Sequence, residues 1–142
     1  MSDAIGDVPN ATPEETFAAI EKGGNVLLVD VRTTAEWAYV GLPDLSAAGA
    51  EPVLIEWQKF PDMAVDPRFG EMLEAMTPDK STELYFLCRS GVRSLAAARE
   101  MRARGYDNVY NISDGFEGPP DGSGHRGNVA GWKASGLPWR QR

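Results

Sequence analysis

The sequence predicts an α/β domain with a mostly parallel central sheet flanked by helices, on three observations. Mostly apolar, strand-like runs, at 26–31, 53–55, 82–87 and 109–112, alternate with segments patterned as helices. Runs without polar alternation belong to strands covered on both faces. Asp30, Arg32 and Cys88 fall at the C-terminal ends of such runs, where parallel sheets bind their ligands. At 142 residues the chain is most simply one domain, 1–142, with its core at about 12–139. That length buries a core without disulfides or metals to hold it.

Each element has a local reason. Thr12 caps a first helix, Pro13 suits its first position and Glu15 completes a capping box. Phe17, Ala18 and Ile20 carry that helix to Lys22, and Gly23-Gly24 ends it. The run 26–31 is a buried strand, after which Thr33 or Thr34 caps a short helix through Glu36, Trp37 and Ala38. Gly41-Leu42-Pro43-Asp44 reads as a turn or irregular connection, Val53-Leu54-Ile55 as a second interior strand, and 58–66 as connecting chain. A helix begins at Asp66-Pro67 and includes Phe69, Met72, Leu73 and Met76; the two methionines share a face, which favours core packing. The strand 82–87 leads into Cys88, a helix runs from Ser94 to near Gly105, and Val109–Ile112 is a fourth strand. Residues 118–128, with Gly118, Gly122, Gly124, Gly127 and two prolines, predict a long flexible loop. Trp37, Trp57, Trp132 and Trp139 are scattered singly and read as core or rim packing.

Composition narrows the function. Apolar residues make up 42% and charged residues 25%, as in ordinary globular proteins. The net charge of −7 argues against a nucleic-acid partner. No apolar run approaches membrane-spanning length, and residues 1–7 show neither a basic start nor an apolar stretch. A cytoplasmic protein with no membrane partner is the expectation. One cysteine permits no intramolecular disulfide, and a metal site is not expected, because His125 and Cys88 lack a recognisable ligand spacing. His125 reads as an exposed loop residue.

Cys88 carries the functional signal. It lies between the end of a buried strand and the start of a helix, facing unpaired backbone N–H groups and the positive end of the helix dipole. Arg89 and Arg93 add positive charge in the same turn of an acidic protein, which suggests a local anion site. Such surroundings lower a thiol's pKa. A free thiol of pKa about 8.5 is only about 3% thiolate at pH 7. A fall of about two units makes thiolate the major form and takes about 2.7 kcal/mol, within reach of several amides, a helix terminus and an arginine together.

From roughly Thr12 to Trp139 the chain resembles a single-domain rhodanese-like sulfurtransferase. The resemblance rests on three segments in family order. They are Leu28-Val29-Asp30-Val31-Arg32 with Glu36 and Trp37 following, Leu87-Cys88-Arg89-Ser90-Gly91-Val92-Arg93-Ser94, and Val109-Tyr110-Asn111-Ile112-Ser113-Asp114-Gly115-Phe116. The ending Gly131-Trp132 through Leu137-Pro138-Trp139 resembles the family tail. Two departures stand out: Gly41-Leu42-Pro43 lacks the family's usual histidine, and the glycine-rich stretch delays Trp132. The resemblance implies a Cys88 persulfide formed from thiosulfate or a similar small anionic donor and discharged to a thiol or cyanide, with no cofactor. In that reading the amides of Arg89, Ser90, Gly91, Val92 and Arg93 cradle the sulfur, and Gly91 permits the tight turn. Arg93 and Arg89 orient the donor, while Asp30, Arg32 and Ser94 support the loop. A cysteine phosphatase is a distant alternative, since four residues rather than that family's usual five separate Cys88 from Arg93. A persulfide carrier serving a sulfur-relay protein, or a non-catalytic rhodanese-like binding or regulatory module, would keep the same fold.

Overall fold

The computed structural model describes residues 7–141. Residues 1–6, all of the stretch read above for a leader except Asp7, lie outside the described residues. The elements in chain order are β1 (Asn10–Ala11), α1 (Pro13–Lys22), β2 (Val26–Asp30), α2 (Thr34–Tyr39), β3 (Leu42–Pro43), β4 (Val53–Leu54), β5 (Gln58–Lys59), β6 (Ala64–Val65), α3 (Phe69–Met76), β7 (Glu83–Leu87), α4 (Val92–Ala103), β8 (Val109–Ile112) and β9 (Trp139–Arg140). A short 3-10 turn spans Ser46–Ala48. The central sheet has the order β1-β8-β7-β2-β4, and every neighbouring pair in it is parallel.

The mostly apolar runs follow from burial on both faces. Along β7, Leu84 and Phe86 enter one core with α3 and α4 residues Phe69, Leu73, Ala97, Ala98 and Met101. Tyr85 and Leu87 point the other way, into a core with Ile20 of α1, Phe116 and Trp132. A period of two places alternate residues on opposite faces, so a run without polar alternation suits a strand between two layers.

Both early helices start as their sequences require. Thr12 Oγ1 accepts from Glu15 N at 3.0 Å while Glu15 Oε1 accepts from Thr12 N at 2.8 Å. Thr33 and Glu36 repeat the same reciprocal box on α2. Caps of this kind satisfy amides that helix geometry leaves unpaired, at about 1 kcal/mol each.

Several segments differ from expectation. Val53 and Leu54 form an edge strand, half-buried, rather than an interior one. Leu42 and Pro43, expected as irregular chain, pair antiparallel with Trp139 and Arg140 and tie the C-terminal segment to the body. The connection 58–66 contains the antiparallel hairpin β5–β6. Helix α4 begins at Val92, with Gly91 as its N-cap, two residues before Ser94. Met72 packs against the core, but Met76 is 58% exposed, because α3 rolls its last turn into solvent. The stretch 118–128 is a succession of turns organised by Asp121, whose carboxylate accepts the Ser123 and His125 amides and Asn128 Nδ2. Trp37 and Trp132 are core residues, Trp57 is half-buried, and Trp139 is exposed with Lys133 Nζ 3.9 Å from its ring centroid.

Candidate active site

Strand β7 delivers Cys88 to the C-terminal edge of the sheet, and Gly91 starts α4 three residues later. Gly91 has φ 111°, a left-handed conformation that costs a glycine little and a side-chain-bearing residue more. The turn brings the Gly91 amide to 3.0 Å from Cys88 Sγ, donating to it. Ser94, one turn into α4, places Oγ 3.2 Å from the same sulfur. Cys88 is 1% exposed, Ser94 is fully buried, Ser90 and Gly91 are half-buried, and Arg89 and Val92 are exposed.

A second loop holds the cysteine peptide from behind. Phe116 N donates to Cys88 O at 2.8 Å, and the Glu117 and Gly118 amides donate to Arg89 O. Gly115 makes this approach possible: a Cβ there would lie 2.3 Å from Cys88 O, and its φ is 62°. Gly115→Ala is therefore expected to cost about 2–3 kcal/mol of stability, read as a lower urea midpoint. An unchanged midpoint would show that this contact is slack.

Asp30 and Arg32 form a fully buried pair, with Arg32 Nη2 2.7 Å from Asp30 Oδ2 and Arg32 Nε 2.9 Å from Asp30 Oδ1. Arg32 Nη2 also donates to Gly41 O, and its guanidinium lies 4.3 Å from the Phe116 ring centroid. Asp30 is in register with Leu87 beside the cysteine turn, and Phe116 grips Cys88 O. The pair thus adjoins both segments that hold the cysteine.

Arg93 is paired across the fold with Glu36. Its Nη1 and Nη2 donate to the two carboxylate oxygens of Glu36 at 2.8 and 2.9 Å, a bidentate pair linking α4 to α2. The Glu36 hydrogen bonds raise the Arg93 pKa against the opposing effect of burial, and the charges of Glu36, Cys88 and Asp30 add to that rise. Burial pushes the Glu36 carboxyl up, but Arg93, the Thr33 amide and the Arg32 charge outweigh it and hold it below the ordinary glutamate value. Among the described residues Arg89 has no salt-bridge partner. A cleft of about 390 Å³ opens between the pair and the β5–β6 hairpin, lined by Arg89, Arg93, Glu36, Thr33, Phe60 and Met63 among others.

Sequence reasoning missed the Glu36–Arg93 pairing, which joins positions 57 residues apart. It also missed Asn111. Asn111 Nδ2 donates to Gly91 O at 3.1 Å, and its Oδ1 accepts from Ser94 Oγ at 2.5 Å. A signal existed: Val109 packs in the core beneath α4, and period two puts Asn111 on that same face. His125 is exposed and is not among the polar partners of Cys88. Among the described residues no group of three or more His, Cys, Asp or Glu could hold a metal ion, and no helix is long and apolar enough to cross a membrane.

Comparison with known proteins bears on the fold and the family. Residues 9–142 match the family model described as the STR4 middle domain. An uncharacterised protein of Rickettsia conorii is 37% identical over 134 residues, covering 94% of this chain and 98% of its own. The Arabidopsis thaliana rhodanese-like domain-containing protein 4, chloroplastic, is 30% identical over 89% of this chain, which spans 24% of that protein. The thiosulfate:glutathione sulfurtransferase of Saccharomyces cerevisiae is 34% identical over 60% of this chain and 58% of its own. The crystal structure of Rv0390 from M. tuberculosis superposes with a TM-score of 0.86 at 42% identity, covering 96% of this chain and 99% of that one. A rhodanese-like domain protein from Staphylococcus aureus shares the fold at a TM-score of 0.56 and 22% identity, over 92% of this chain and 97% of its own. The chain belongs to the STR4 middle-domain family and is a rhodanese-like domain, of a family that includes sulfurtransferases.

Proposed function

We propose that this protein is a sulfurtransferase that carries sulfane sulfur as a persulfide on Cys88. The observation that carries the reading is the convergence of the Gly91 amide and the Ser94 hydroxyl on one buried sulfur, at the start of a twelve-residue helix. The Gly91 amide, a donor aimed at the sulfur from fixed backbone, favours its anionic form without reorganisation. In the first half-reaction the Cys88 thiolate attacks the outer sulfur of thiosulfate. A new S–S bond forms, the old one breaks, and sulfite leaves with the bonding pair. In the second, an acceptor thiolate or cyanide attacks the outer sulfur of the persulfide, and Cys88 departs as thiolate. Two easy displacements replace one difficult transfer. The name of the yeast relative, a thiosulfate:glutathione sulfurtransferase, supports this donor and acceptor class.

The arginines take unequal parts. Arg89, without an ion-pair partner among the described residues, attracts the anionic donor to the cleft. Arg93 presents a guanidinium already neutralised by Glu36, so it positions α2 against the loop more than it draws anions. Asp30 and Arg32 brace the loop from below.

Intact mass after incubation with thiosulfate and removal of excess donor tests the proposal, run beside Cys88→Ser. The expected result is a reducible gain of one sulfur atom on the parent, absent from the variant and discharged by cyanide. No gain on the parent would rule out thiosulfate as its donor and put a relay protein's persulfide next in line.

A further inference from the structure

Four groups form a closed hydrogen-bonded ring at the site. Gly91 N donates to Cys88 Sγ, and Gly91 O accepts from Asn111 Nδ2. Asn111 Oδ1 accepts from Ser94 Oγ, and Ser94 Oγ stands 3.2 Å from Cys88 Sγ. Chemistry fixes the direction of each link. A carbonyl oxygen only accepts, so the amide nitrogen of Asn111 must face Gly91 O. Its oxygen must then face Ser94, and the single Ser94 hydroxyl proton points at Asn111. In that arrangement Ser94 offers the sulfur a lone pair, which suits a thiol donating its own proton.

We propose that Asn111 is a positioning residue for Cys88, acting through Ser94 by competing with the sulfur for one hydroxyl proton. When Cys88 loses its proton to water, the thiolate can accept from Ser94 only if that hydroxyl turns away from Asn111. Asn111 Oδ1 then loses its donor in a site where Ser94 is fully buried and Asn111 is 6% exposed. A buried acceptor without a donor is disfavoured. The ring therefore holds the resting thiol and yields its proton to the sulfur only in the anionic forms. The inference rests on Cys88 being the reactive sulfur, but not on which donor loads it.

The test is thiolate absorbance near 240 nm against pH in the full chain, where one cysteine makes the signal unambiguous. Asn111→Ala leaves the Ser94 proton with the sulfur as its acceptor. It is expected to raise the thiolate fraction about tenfold at pH values below the midpoint, a shift of about one unit or about 1.4 kcal/mol. In a Ser94→Ala background the same substitution is expected to do nothing, because its route is gone. A purely structural role would loosen Gly91 and move the midpoint up, or act equally with and without Ser94; either result overturns the proposal. Should Asn111→Ala not fold, the side-chain carbonyl ¹³C shift of Asn111 in the unmodified protein decides. It is expected to titrate with the thiolate, and a flat response overturns the proposal. These readouts need no sulfur donor, so failure of thiosulfate loading and failure of this inference are separable.

Discussion

Arg32→Met is expected to destabilise the protein by about 3–5 kcal/mol, the cost of stranding one charge of a buried pair. Both side chains are fully inaccessible, and Arg32 supplies the Asp30 carboxylate with three of its contacts. Removing the guanidinium leaves Asp30 with the Arg32 backbone amide as its remaining named donor. Gly41 O also loses its partner, and the Phe116 ring loses the group stacked on it. A domain of this kind has about 5–15 kcal/mol in total, so the variant sits near the edge of folding. Urea unfolding measures this directly. Asp30→Asn combined with Arg32→Met removes the stranded charge and is expected to recover much of the loss. A single variant within about 0.5 kcal/mol of the parent, the usual span of harmless surface changes, would mean that water reaches Asp30.

How far the sequence could be read follows from which forces are local. The capping boxes at Thr12 and Thr33 lie within four residues and were legible as patterns. The strands β2, β7 and β8 were legible because burial on both faces leaves a mostly apolar run without polar alternation. The same rule misread 53–55, since an apolar run does not say whether a strand has one neighbour or two. Pairings of two residues at long separation, β1 with β8 and β3 with β9, leave no periodic trace. The cysteine turn was legible from the strand, glycine and helix around it. Its partners were not, because Glu36 and Asn111 reach it only through the fold. The charge of Arg93 was visible in the sequence; its neutralisation was not.

That neutralisation makes a prediction of opposite signs. Glu36→Gln is expected to lower the KM for thiosulfate on the order of tenfold, and Arg93→Met to raise it by a similar factor. A unit charge about 8 Å from an anion at an effective dielectric of about 20 is worth about 2 kcal/mol, and salt at about 0.1 M trims it. Glutamine keeps an oxygen for the Thr33 amide, so the α2 cap survives while Arg93 regains net charge. Methionine at 93 leaves Glu36, 20% exposed, as an uncompensated anion on the cleft. The sign with pH follows from Glu36, whose folded carboxyl is depressed below its ordinary 4.5. Its contribution to stability is present above the unfolded pKa and fades as pH falls through the lower folded value. In that acid window the parent acquires the neutral side chain that glutamine supplies at every pH. The advantage of Glu36→Gln should therefore shrink as pH drops below about 4.5, and raising salt at neutral pH should shrink it too. Equal KM values for parent and Glu36→Gln at low salt and neutral pH would show that the donor never approaches this pair and enters over Arg89 alone.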